Sequence, residues 1–91
     1  MNNNNNKCIL CQVSMFSVNQ RVILKDGDYT KEIGMVDMGV LEETIANLCN
    51  KYKVNKVKLL GSSKFLRGVA DAITTYSIKK YNNNNIKVEI N

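Results

Sequence analysis

From Cys8 onward the hydrophobic rhythm of the chain changes several times, and those changes outline its elements. Over Cys8–Phe16, apolar and polar positions alternate from Leu10 on, which places Cys11, Val13 and Met15 on one buried face of a strand. Ser17-Val18-Asn19-Gln20 reads as a turn, and Arg21–Lys25 as the returning strand. Asp26-Gly27 between apolar flanks is a hairpin signal, and a third strand follows through Lys31–Val36. The period then lengthens. Leu41, Ile45, Leu48 and Tyr52 recur at helical spacing with Glu42, Glu43, Asn47 and Lys51 opposite, predicting a helix from Gly39 to Lys53. Val54–Leu60 is the next strand. A second helix is expected over Ser63–Tyr81, with Phe65 or Leu66, Val69, Ile73 and Tyr76 or Ser77 as its stripe. Ile86, Val88 and Ile90 alternate with Lys87 and Glu89 in a final strand.

The order β-β-β-α-β-α-β predicts an α+β fold: a mixed five-stranded sheet with two amphipathic helices. The first three strands read as an antiparallel meander, and strands joined through a helix should run parallel. The helices sit together on one face or are divided between the two. This element order is similar to the RNase H-like superfold, short of its last helix. The resemblance implies clustered carboxylates holding two metal ions, the first of them on the first strand. Here that strand has no Asp or Glu, and the fourth ends in Leu60-Gly61. Glu42 and Glu43 suit the positive end of the first helix, and Asp37 suits a cap. No catalytic residue, metal site or cofactor is therefore expected.

Ninety-one residues make one domain, with a core large enough for one sheet under two helices. A disordered asparagine-rich tail is expected over residues 1–6 and a single domain over 7–91. A second asparagine run, Asn82–Asn85, separates the last helix from the last strand as a turn. Such runs fit an AT-rich coding sequence, as in some low-GC bacteria and their phages. No run of about 18 apolar residues is present to span a membrane, and the start lacks the pattern of a secretory signal. Three cysteines, an odd number, argue for a reducing compartment, hence the cytoplasm.

Cys8-x-x-Cys11 resembles half a metal site or a redox pair. A structural zinc needs four ligands, however, and the chain offers three cysteines and no histidine. On a strand the two thiols point to opposite faces, so buried thiols are expected, with Cys49 as small core filling. The absence of histidine removes histidine-based acid–base and triad chemistry.

The strongest ligand signal is the strand–Gly61-Ser62-Ser63-Lys64–helix unit. The first helix fills its positive end with Glu42 and Glu43; the second opens on Ser62, Ser63, Lys64 and Arg67, with no acid before Asp71. Free N–H groups, two hydroxyls and two cations there suit an anion, at the carboxyl ends of parallel strands where ligands gather. The full phosphate-loop pattern is missing, and Ser62 or Ser63 as plain N-caps is the competing reading.

The net charge of +5 favours acidic partners, nucleotide or nucleic acid, although a lysine-rich surface also serves solubility. Lys51, Lys53, Lys79 and Lys80 suit the helix ends. Lys56 and Lys58 fall on one side of a strand and join Lys87 if the register allows. Met35 and Met38 beside Gly34 and Gly39 are either core or an adaptable protein-binding surface. Two functional expectations follow. One is a non-enzymatic binding module for an anionic ligand, using Ser62, Ser63, Lys64 and Arg67. The other is a protein-interaction module, a phage or mobile-element accessory that blocks or bridges a host protein, with a homodimer through an edge strand as a further option.

Overall fold

The computed structural model describes residues 6–91. The elements are β1 (Lys7–Gln12), β2 (Asn19–Asp26), β3 (Tyr29–Asp37), a 3-10 turn (Met38–Val40), α1 (Leu41–Tyr52), β4 (Lys56–Leu60), α2 (Ser63–Tyr81) and β5 (Lys87–Ile90). They form an α+β fold around one five-stranded mixed sheet in the order β3-β2-β1-β4-β5. β1, β2 and β3 are the antiparallel meander, while β4 runs parallel to β1 and β5 parallel to β4. Of the asparagine-rich tail, residues 1–5 lie outside the described residues; Asn6 accepts a hydrogen bond from Gly27 N at 3.1 Å.

Both helices lie on the same face of the sheet. α1 packs on α2, and Tyr76 Oη donates to Glu43 Oε1 at 2.8 Å across the pair. The core beneath them joins Ile9 and Cys11 of β1, Val22 of β2, Leu59 of β4, Leu41 and Ile45 of α1, and Leu66 and Ile73 of α2, all fully buried. In α2 the inward residue is Leu66 rather than Phe65, and Ser77 rather than Tyr76. Asp37 is a cap, accepting from Gly39 N at 2.7 Å ahead of α1. The thiols of Cys8, Cys11 and Cys49 are all free and buried. Burial pushes Cys11 up to about 11 and Cys49 up to about 12.

The structure corrects the first turn. The alternation extends to Phe16, yet β1 stops at Gln12; Met15 is exposed, and the turn occupies residues 13–18 instead of 17–20. The cause is Gln20, a buried amide at the start of β2. Its Oε1 accepts from Ser14 N at 2.7 Å, and its Nε2 donates to Ser14 O and Ser17 O at 3.0 and 2.8 Å. Those bonds hold the loop in a shape that a continued strand could not adopt. β4 likewise begins at Lys56 rather than Val54, because Lys53 turns the chain in the left-handed region at the end of α1.

Candidate functional site

Gly61 places the start of α2. Its N donates to Asn91 O at 3.1 Å, while Val13 N donates to Leu60 O at 2.8 Å. The turn is thus pinned between the exit of β1 and the end of β5. At φ +150°, a Cβ on residue 61 would come within 2.7 Å of Val13 O, so only glycine lets the two backbones meet. Because β4 lies parallel to β1 and β5, the turn sits at the carboxyl ends of all three strands.

Ser62 occupies the N-cap position of α2 but makes no side-chain capping bond, and the first turn carries no acidic residue. The helix ladder starts with Leu66 N donating to Ser62 O at 2.9 Å. The N–H groups of Ser63, Lys64 and Phe65 therefore precede the first intrahelical bond and point out of the helix end. Ser62, Ser63, Lys64 and Arg67 are all exposed, and Arg67 lies one turn beyond Ser63 and Lys64 on the same side. α1 differs, with Glu42 and Glu43 in its first turn. The same edge of the sheet carries exposed apolar side chains: Met15 and Phe16 in the β1–β2 turn, and Phe65 in the first turn of α2. Phe16 is 99% exposed.

The face of the sheet away from the helices is basic at its β4–β5 end. Lys56 pairs with Lys87, and Lys58 with Glu89, so the register brings Lys56, Lys58 and Lys87 together on one side. The tyrosines are elsewhere. Lys31 and Lys51 lie over the Tyr52 ring at 5.3 and 5.4 Å, and Lys80 over Tyr76 and Tyr81 at 5.6 and 5.4 Å, on the helix side. Acceptance by Glu43 holds the Tyr76 phenol above its usual range, and the neighbouring Tyr76 hydroxyl does the same for the Lys80 ammonium. A basic face interleaved with stacking tyrosines is not what these residues build.

One concave feature escaped the sequence reading. At the amino ends of β4 and β5, a cavity of about 340 Å³ is lined by Lys7, Lys53, Lys56 and Lys87, with Asn55, Asn85 and a single acid, Glu89. Its residues come from three separate stretches of sequence, which only the adjacency of β1, β4 and β5 brings together. Among the described residues no three of His, Cys, Asp and Glu gather to hold a metal ion. Nor is any described helix long and apolar enough to cross a membrane. No family model matches the chain, and no curated protein matches it.

Proposed function

We propose that the chain is a non-enzymatic, cytoplasmic binding module for an anionic ligand, a nucleotide or nucleic acid, held where β4 passes into α2. The observation that carries this reading is the start of α2: uncapped by Ser62, free of acids, and ringed by exposed Ser62, Ser63, Lys64 and Arg67. An unneutralised helix end costs a few tenths to about 1 kcal/mol, which an anion recovers while bonding the free N–H groups. Phe16 and Phe65, exposed on the same edge, favour a ligand with bases to stack over a bare inorganic ion.

The test is gel filtration of the untagged protein at low salt, with absorbance at 260 and 280 nm and mass read in line. Without tryptophan and with four tyrosines, the chain absorbs little at 280 nm, so retained nucleotide is visible. Lys64→Glu should abolish nucleotide binding with the circular dichroism unchanged; retained affinity in that variant rejects the turn as the site. Phe16→Ala should weaken nucleotide binding and leave inorganic phosphate unaffected.

A second reading rests on Met15, Phe16, Val18 and Met35, all more than half exposed around the turn end of the sheet. Such side chains suit a protein partner, whether a host protein or a second copy in a homodimer. Met38 does not contribute to that surface, since it packs against the core. A clean protein spectrum at a dimer mass, with no nucleotide affinity, would favour this reading over the first.

A further inference from the structure

We infer that the cavity at the amino ends of β4 and β5 is a seat for an oligophosphate group. It lies at the opposite end of β4 from the Ser62–Lys64 turn, so the inference stands whether or not that turn binds a ligand. Four lysines face one glutamate there. Two of them, Lys56 and Lys87, are direct cross-strand partners, an arrangement that like charges disfavour unless something anionic lies between or above them.

The backbone is organised around the same spot. Lys53 holds the left-handed conformation, φ 57° and ψ 49°, at the end of α1, where glycine or asparagine is the usual occupant. That strain is retained by a residue whose side chain lines the cavity. The asparagine run is equally specific. Asn82 takes the left-handed position closing α2, and Asn83 Oδ1 accepts from Asn85 N at 2.9 Å, shaping the turn that brings Asn85 to the cavity wall. Asn83 Nδ2 donates to Asn55 Oδ1 at 3.3 Å, which leaves the Asn55 amide N–H groups to donate to a ligand. Lys87 N donates to Asn55 O at 2.7 Å, fixing the two walls relative to each other.

The donor set selects the ligand class. Lysine ammoniums are compact point charges with three donors each, suited to clustered phosphate oxygens. No arginine fork is present in the lining to favour a planar carboxylate. The cavity volume is that of a small-ligand site rather than of a surface for a macromolecule.

The test is calorimetric titration of the full chain with inorganic tripolyphosphate at low ionic strength, with amide chemical shifts followed by NMR. Saturable one-to-one binding is expected, with the largest shifts at Lys56 and Lys87. Lys87→Gln should weaken it about tenfold, the effect of one charge-assisted contact. Lys31→Gln, which removes the same charge from β3, with β2 and β1 lying between it and β4, should change it little. Lys53→Gly should weaken binding while raising the melting temperature, which separates loss of the seat from loss of the fold. Adenosine triphosphate distinguishes the source: equal affinity assigns the seat to bare oligophosphate, and tighter binding to a nucleotide. Either result upholds the seat. Absence of saturation overturns the inference, as does equal weakening by Lys31→Gln. A loss caused by Lys64→Gln and not by Lys87→Gln also overturns it, and would move the phosphate to the turn.

Discussion

Ser77 is where the interior is least content. Its Oγ is buried on the inward side of α2 without a hydrogen-bond partner among the described residues. A hydroxyl removed from water and left unbonded costs about 1–3 kcal/mol, and serine is also a weaker helix former than alanine. Ser77→Ala should therefore stabilise the protein, by about 1 kcal/mol, read as a higher urea midpoint at constant slope. The buried thiols give a pH dependence with a definite sign. Cys11 and Cys49, lifted by burial to about 11 and about 12 from 9.0, stay protonated in the folded chain after the unfolded chain has begun to ionise. Below pH 9 they contribute no slope. Above it the unfolded state binds fewer protons, so stability should fall as pH rises from about 9 towards 11. Cys49→Ala should flatten that decline in a series of urea melts. Gln20 marks the limit of residue-level reading: a polar residue beside a turn is ordinary in sequence. Only the fold reveals that its amide makes three bonds to the loop it closes.

Elements were legible where period alone decides them. Alternation in Ile86–Ile90, helical spacing in α1 and α2, and the Asp26-Gly27 hairpin each sit within a short window, and each appears in the structure. The ends were less legible, because Val13 and Met15 continue the alternation of β1 after its pairing with β2 has stopped at Gln12. The Ser62–Lys64 turn was visible since it is contiguous, whereas the lysine cavity draws on positions 7, 53, 55, 56, 85 and 87 and has no local signature. Lys53 joins the two levels. As the left-handed residue ending α1 it is a poor choice for stability, and Lys53→Gly should gain about 0.5–1 kcal/mol by relieving the positive φ. A thermal melt beside the tripolyphosphate titration checks both effects in one variant. A gain in stability with binding intact would mean that the strained lysine serves neither fold nor ligand.

At the scale of the whole molecule, charge is distributed in a way the fold does not need. Thirteen basic residues stand against eight acids, and the one ion pair among the described residues, Arg21–Glu32 at 2.8 Å, is well exposed. Their mutual hydrogen bonds raise the Arg21 guanidinium and lower the Glu32 carboxyl, but exposure leaves that pair screened by solvent. Meanwhile Lys56 and Lys87 stand side by side, and the positive end of α2 is left open. Folding therefore gathers like charge at two ends of one sheet. Salt should relieve this: raising sodium chloride from about 20 to about 300 mM should stabilise the chain by roughly 0.5–1 kcal/mol, because screening shortens the reach of the repulsion. Phosphate should do more than chloride at equal ionic strength, since an ion that binds only the folded state adds its own binding free energy to stability. The excess over chloride should shrink in Lys87→Gln if the cavity holds the ion, and in Lys64→Glu if the turn does. An identical rise in chloride and phosphate would reduce the basic surface to one that repels itself and binds nothing in particular.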